Sequence, residues 1–105
     1  MATITNVKRF NAKKIYDTTD PLYHAEGNAG VSLEFYAPYV IQISAVPATS
    51  VVQVQARLTE DAPWAPVAEF TDKADSQMVM FDKPANFVRV ARTSGVDDIT
   101  AYAQG

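Results

Sequence analysis

The sequence predicts an all-β domain, an antiparallel β-sandwich or jelly roll of about seven or eight short strands. Three observations carry that expectation. Apolar and polar residues alternate at the period of a half-buried strand, most cleanly in SVVQVQARLT at 50–59. Turn residues recur at spacings of about 8–12 residues along the chain. No window sustains an apolar stripe at helical spacing, and six prolines divide the chain too often for long helices.

Each element follows from its residues. Lys14-Ile15-Tyr16 is expected to make a first short strand. DTTDPLYHAEGNA at 17–29 is the one long irregular stretch, of a length that in compact domains tends to carry function. GVSLEFY at 30–36 alternates Val31, Leu33 and Phe35 against Ser32 and Glu34. After Ala37-Pro38, Tyr39, Ile41 and Ile43 alternate with Gln42 and Ser44, and Pro47 closes that strand because it cannot donate to a ladder. In the next strand Val52, Val54, Ala56 and Leu58 face one way, and Gln53, Gln55, Arg57 and Thr59 the other.

Glu60-Asp61-Ala62-Pro63 is a turn. The strand beyond it opens at Trp64 and is expected to bury Val67 and Phe70. Thr71-Asp72-Lys73 turns the chain again. Met78 and Met80 then share a face of a strand ending near Asp82-Lys83-Pro84. FVRVARTSG at 87–95 sets Val88 and Val90 inward against Phe87, Arg89 and Ala91 outward. Arg92 falls on the inward side at the strand end, where its stem covers apolar surface and its guanidinium reaches the rim. Ser94-Gly95 permits a tight turn into a last strand carrying Ile99, Ala101 and Ala103.

Composition bounds the function. A chain of 105 residues, 48% apolar and 20% charged, suits one domain with a buried core and not a disordered segment. There is no cysteine, which excludes disulfides and thiolate metal sites. MATITNVKRFNAKK lacks the apolar core of a secretory signal, and no run approaches the roughly 20 apolar residues that span a bilayer. A soluble protein without a membrane partner is expected.

Lys8, Arg9, Lys13 and Lys14 hold four of the nine basic residues, and no acid lies among residues 1–16. Residues 17–105 carry five basic and twelve acidic residues, a local balance of −7. The chain thus divides into a basic N-terminal segment, 1–16, acting as an arm or edge strand, and a single β-sandwich domain, 17–105. A body this acidic repels phosphates, so no nucleic-acid partner is expected. The lysines either guard a sheet edge or dock on an acidic protein surface.

No constellation of catalytic residues stands out, so enzymatic activity, a metal and a cofactor are not expected. His24 is the only histidine, and with Asp20 and Glu26 alone it makes a poor metal site. No activated nucleophile surrounds any serine. The acids at Glu60-Asp61, Asp72 and Asp75, and Asp97-Asp98 sit beside turn residues, where Asp bonds its own backbone. Trp64 with Tyr16, Tyr23, Tyr36, Tyr39 and Tyr102 raises a sugar-stacking platform, against which Trp64 reads as a core or half-buried residue. Phe87 beside Arg89 on an outer face is the composition enriched at protein–protein hot spots.

The order VVQVQARLTEDAPWAPVAEFT, then FDKPANFVRVARTSGVDDITAYAQG, resembles small β-sandwich virion proteins of tailed bacteriophages. The features shared are a V-x-V strand, a Trp strand ending in Phe-Thr, a (F/Y)-V-R-V strand and a T-S-G turn, all within about residues 50–105. The resemblance implies a capsid decoration (cement) protein on the outer capsid surface, assembled in the host cytoplasm. It also implies the major capsid protein as partner and a homo-oligomer, with a trimer favoured. The residues expected to meet that partner are Lys8, Arg9, Lys13, Lys14, Tyr23, Phe87 and Arg89. The alternative is a tail or baseplate accessory sandwich that binds host-surface carbohydrate.

Overall fold

Eight strands form in a computed structural model of the chain, which describes residues 11–24, 29–34, 38–82 and 87–105. They are β1 (Lys13–Asp17), β2 (Leu33–Glu34), β3 (Tyr39–Ile43), β4 (Val51–Arg57), β5 (Ala65–Phe70), β6 (Gln77–Phe81), β7 (Phe87–Ser94) and β8 (Thr100–Gln104). Two antiparallel four-stranded sheets result, ordered β1-β8-β3-β6 and β2-β7-β4-β5. Only the β4–β5 connection joins neighbours within one sheet. Every other connection crosses to the opposite sheet, which makes the sandwich a jelly roll, as the sequence predicts.

The core is where the alternating residues of both sheets meet. Tyr39, Ile41 and Ile43 of β3, with Ala101 and Ala103 of β8, face Val52, Val54 and Ala56 of β4 and Val88 and Val90 of β7. Burying each of the larger aliphatic side chains contributes about 1.5–3 kcal/mol, so the pattern stabilises the sandwich without any cross-link. On β1 the register shifts between Lys14 and Tyr16, and this bulge lets the successive residues Ile15 and Tyr16 both turn inward. The Tyr16 hydroxyl accepts a hydrogen bond from the Arg92 backbone N–H at 3.1 Å, tying the first sheet to the second. Burial pushes the Tyr16 phenol up, and pushes that of Tyr39 up to about 12.

The chain crosses closely between the sheets at Gly30, whose N–H donates to the Val90 carbonyl at 2.7 Å. A Cβ there would lie 2.3 Å from the Ile15 carbonyl oxygen, so only glycine fits. At the rim, Ser50 is fully buried; its hydroxyl donates to Asp97 Oδ2 at 2.6 Å and accepts from the Asp97 N–H at 3.2 Å. Arg92 runs to the same corner, where its Nη1 donates to the Asp97 carbonyl at 2.7 Å.

Four expectations need correction. Leu58 lies past the end of β4 and is 65% exposed, because the chain has already entered the turn. Val67 is 48% exposed: three residues before Phe70, it points with Glu69 away from the face that Phe70 and Ala68 share, so a period of two cannot bury both Val67 and Phe70. Ala91, expected outward, is buried where Ala29 bridges to it. The strand expected from Gly30 starts at Leu33 and, among the described residues, pairs at Leu33–Glu34; Phe35 and Tyr36 lie outside the described residues. Within 17–29, Pro21–Tyr23 forms a 3-10 turn capped by the Asp20 carboxylate, which accepts the Leu22 N–H at 3.0 Å.

Candidate functional site

Two outer faces, on opposite sides of the sandwich, carry the side chains that the core does not use. On the second sheet, β4 alternation points Gln53, Gln55 and Arg57 outward, and the β4–β7 register sets Gln55 opposite Arg89 and Arg57 opposite Phe87. Trp64, half-buried just before β5, completes the cluster. The Arg57 guanidinium carbon is 4.2 Å and the Arg89 guanidinium carbon 4.4 Å from the centre of the Trp64 ring. Arg57 also lies 5.6 Å from the centre of the Phe87 ring. Each such stacking contact is worth about 0.5–2 kcal/mol, depending on how far water is excluded.

A row of amides holds Arg89 in place. Its Nε donates to Gln55 Oε1 at 2.8 Å, Gln55 Nε2 donates to Gln53 Oε1 at 3.1 Å, and Gln53 Nε2 donates to Glu69 Oε1 at 2.9 Å. All three bonds run in one direction, which polarises the row with its positive end at Arg89. Arg57 Nη1 donates to the Glu60 carbonyl at 3.0 Å, while Arg57 Nε is buried with no partner among the described residues. Neither guanidinium meets a carboxylate among the described residues. Burial, and secondarily the like charge of Arg57, lowers the Arg89 pKa.

The first sheet has a different outer face. Val40, Met78, Met80 and Tyr102 line a shallow groove of about 420 Å³. Met78 is 67% and Met80 71% exposed, and the register places Val40 beside Met80 and Gln42 between Met78 and Tyr102. The stripe reaches β6, an edge strand with neither charge nor proline. The other long edges have the usual guards against pairing, lysines on β1 and Pro66 on β5.

The residues expected from sequence fall into two groups. Phe87 and Arg89 do share an outer face, together with Arg57 and Trp64. Lys13 and Lys14 sit on edge strand β1. Lys14 Nζ pairs with Asp17 Oδ2 at 3.0 Å and lies 5.0 Å from the Tyr23 ring centre. The Thr19 hydroxyl and backbone N–H, then Lys14, hold the Asp17 carboxyl down at about 2. Lys8 and Arg9 lie outside the described residues.

His24 packs edge-on against Tyr16, ring centres 6.0 Å apart. Among the described residues no three His, Cys, Asp or Glu side chains gather as a metal site would require. No helix among them is long and apolar enough to cross a membrane. Asp97 is held low by the Ser50 and Thr49 hydroxyls, a structural arrangement at the rim.

Sequence reasoning missed the joining of Trp64 to both arginines, and the groove. Outward alternation of Arg57 was the available signal for the first. Fold and geometry together define a small jelly-roll module with two differently built outer faces. Compared with protein-family models, curated proteins and solved structures, the chain has no match.

Proposed function

We propose that this chain is a non-enzymatic virion component of a tailed bacteriophage, a decoration protein that binds the outer capsid surface and bridges capsomers. The observation that carries this reading is that both outer faces present interface-type side chains. One face offers Arg57, Trp64, Phe87 and Arg89; the opposite face offers Val40, Met78, Met80 and Tyr102. Trp, Tyr, Arg and Met are the residues enriched where proteins meet. A module covered on two sides can bridge, whereas one sticky face makes only a pendant.

The resemblance over residues 50–105 supports the same reading, and jelly rolls are common in viral capsid domains. They are also common in lectins, so the fold alone does not choose. Sugar stacking on Trp64 is less well supported, because the two guanidinium groups lie over the ring that a sugar would need. Mechanically, each copy adds contacts on the order of 1,200–2,000 Å² per standard interface. Repeated over a closed shell and coupled to binding, these contacts oppose the outward pressure of packed DNA. A homo-oligomer, with a trimer favoured, would present several copies of each face at once.

Co-sedimentation with expanded capsids that lack this protein tests the proposal. Saturable binding that raises the shell's disruption temperature is expected. Absence of binding at micromolar concentrations, or binding to host-surface glycans that Trp64→Ala abolishes with the fold intact, refutes it.

A further inference from the structure

The Arg57–Trp64–Arg89 cluster is built more tightly than a generic contact surface needs. Two cations are held over one indole ring, although like charges brought together oppose each other. No carboxylate among the described residues neutralises either guanidinium directly. The nearest acid in the row, Glu69, is reached only through Gln53 and Gln55. Arg89 therefore spends its Nε on Gln55 and keeps its terminal N–H groups, while Arg57 spends Nη1 on the Glu60 carbonyl and keeps Nη2. The site has fixed positive charge, unused donors and an apolar floor.

We propose that this cluster is a carboxylate-binding site that receives an aspartate or glutamate side chain from the protein surface on which the module docks. The inference deepens the docking role proposed above and rests on it. A guanidinium fork matches a carboxylate with two parallel N–H···O bonds, and contact with Trp64 holds both guanidinium groups at the site before the partner arrives. One inserted carboxylate would also relieve the repulsion between Arg57 and Arg89. A polyphosphate chain suits the site less well, because it carries an unbroken run of charges past Glu69 and the Glu60-Asp61 turn, whereas a protein surface can bring a single carboxylate to the arginines.

Trp64 is the only tryptophan, so its single indole N–H resonance and its fluorescence report on this site alone. The full chain is titrated at constant ionic strength with a hexaglutamate peptide, with hexaglutamine and a hexathymidine oligonucleotide as comparisons. Hexaglutamate is expected to shift the indole resonance saturably, with half-saturation on the order of a millimolar, typical of one or two charged contacts. The double variant Arg57→Lys/Arg89→Lys keeps the charge but loses the forks, and should bind at least about fivefold more weakly. Far-ultraviolet circular dichroism confirms its fold; if the double variant unfolds, Arg89→Gln carries the comparison.

An equal response to hexaglutamine, or undiminished binding by the lysine variant, overturns the proposal. Tighter binding of the oligonucleotide replaces it with a single-stranded nucleic-acid site. If hexaglutamate fails while the chain still co-sediments with shells, the chemistry of this site is wrong and the docking role stands. Peptide binding without shell binding has the opposite meaning.

Discussion

Gly95→Ala should be the most damaging single-methyl change outside the core, and the structure gives its size. Gly95 has φ of +92°, a region that costs an ordinary residue roughly 1–2 kcal/mol. A Cβ at this position would also lie 2.3 Å from the Thr49 carbonyl oxygen and 2.6 Å from Ser50 Cα, both backbone atoms that cannot swing away. Moving that segment disturbs the hydrogen bonds between Ser50 and Asp97, one of them to a charged carboxylate worth about 1.5–3 kcal/mol. The sum is about 2.5–5 kcal/mol, against a total stability of roughly 5–15 kcal/mol for a domain of this size. Urea unfolding followed by circular dichroism reads it as a fall in midpoint of about 2 M, with the slope unchanged. Gly95→Asn separates the two causes, since asparagine tolerates positive φ but carries the same Cβ. Rescue by asparagine, or a loss below about 1 kcal/mol in Gly95→Ala, refutes the close approach to Thr49-Ser50.

Other outcomes follow from the same geometry. Tyr16→Phe removes the acceptor for the Arg92 N–H and should cost about 1–3 kcal/mol in thermal or urea unfolding, the cost of stranding a buried donor. The Asp17 carboxyl titrates at about 2 when folded, below its unfolded value of 3.8, so its contribution is complete above about pH 5 and is lost as pH falls toward 2. Asp17→Asn should therefore flatten the acid limb of a stability–pH profile below pH 5 and lower the plateau above it. Met80→Lys changes an outward side chain and should leave unfolding of the isolated chain within about 0.5 kcal/mol, while weakening shell binding severalfold.

What the sequence revealed depended on how locally each feature is encoded. The central strands β3, β4, β7 and β8 bury every second residue, so Ile41, Val54, Val90 and Ala101 were readable from period two alone. Edge strands were harder, because an edge needs fewer apolar residues and tolerates irregular pairing. Expecting both Val67 and Phe70 inside misplaced Val67, because a period of two sets residues three apart on opposite sides. Phe87 and Arg89 were placed outward correctly, since their strand alternates cleanly. Their union with Trp64 required β4, β5 and β7 to lie side by side. The groove required β6 to pair with β3, bringing Met80 to Val40 across 40 residues of chain. Both surfaces arise from topology, where a pattern within one strand gives no signal.

The central claim is that both outer faces are covered when the protein does its work. An electron cryomicroscopy reconstruction of shells incubated with the purified chain tests it most directly. The account predicts that Met78 and Met80 on one side, and Arg57, Trp64 and Arg89 on the other, are buried against capsid subunits or neighbouring copies. A bound module with both faces open to solvent would contradict it.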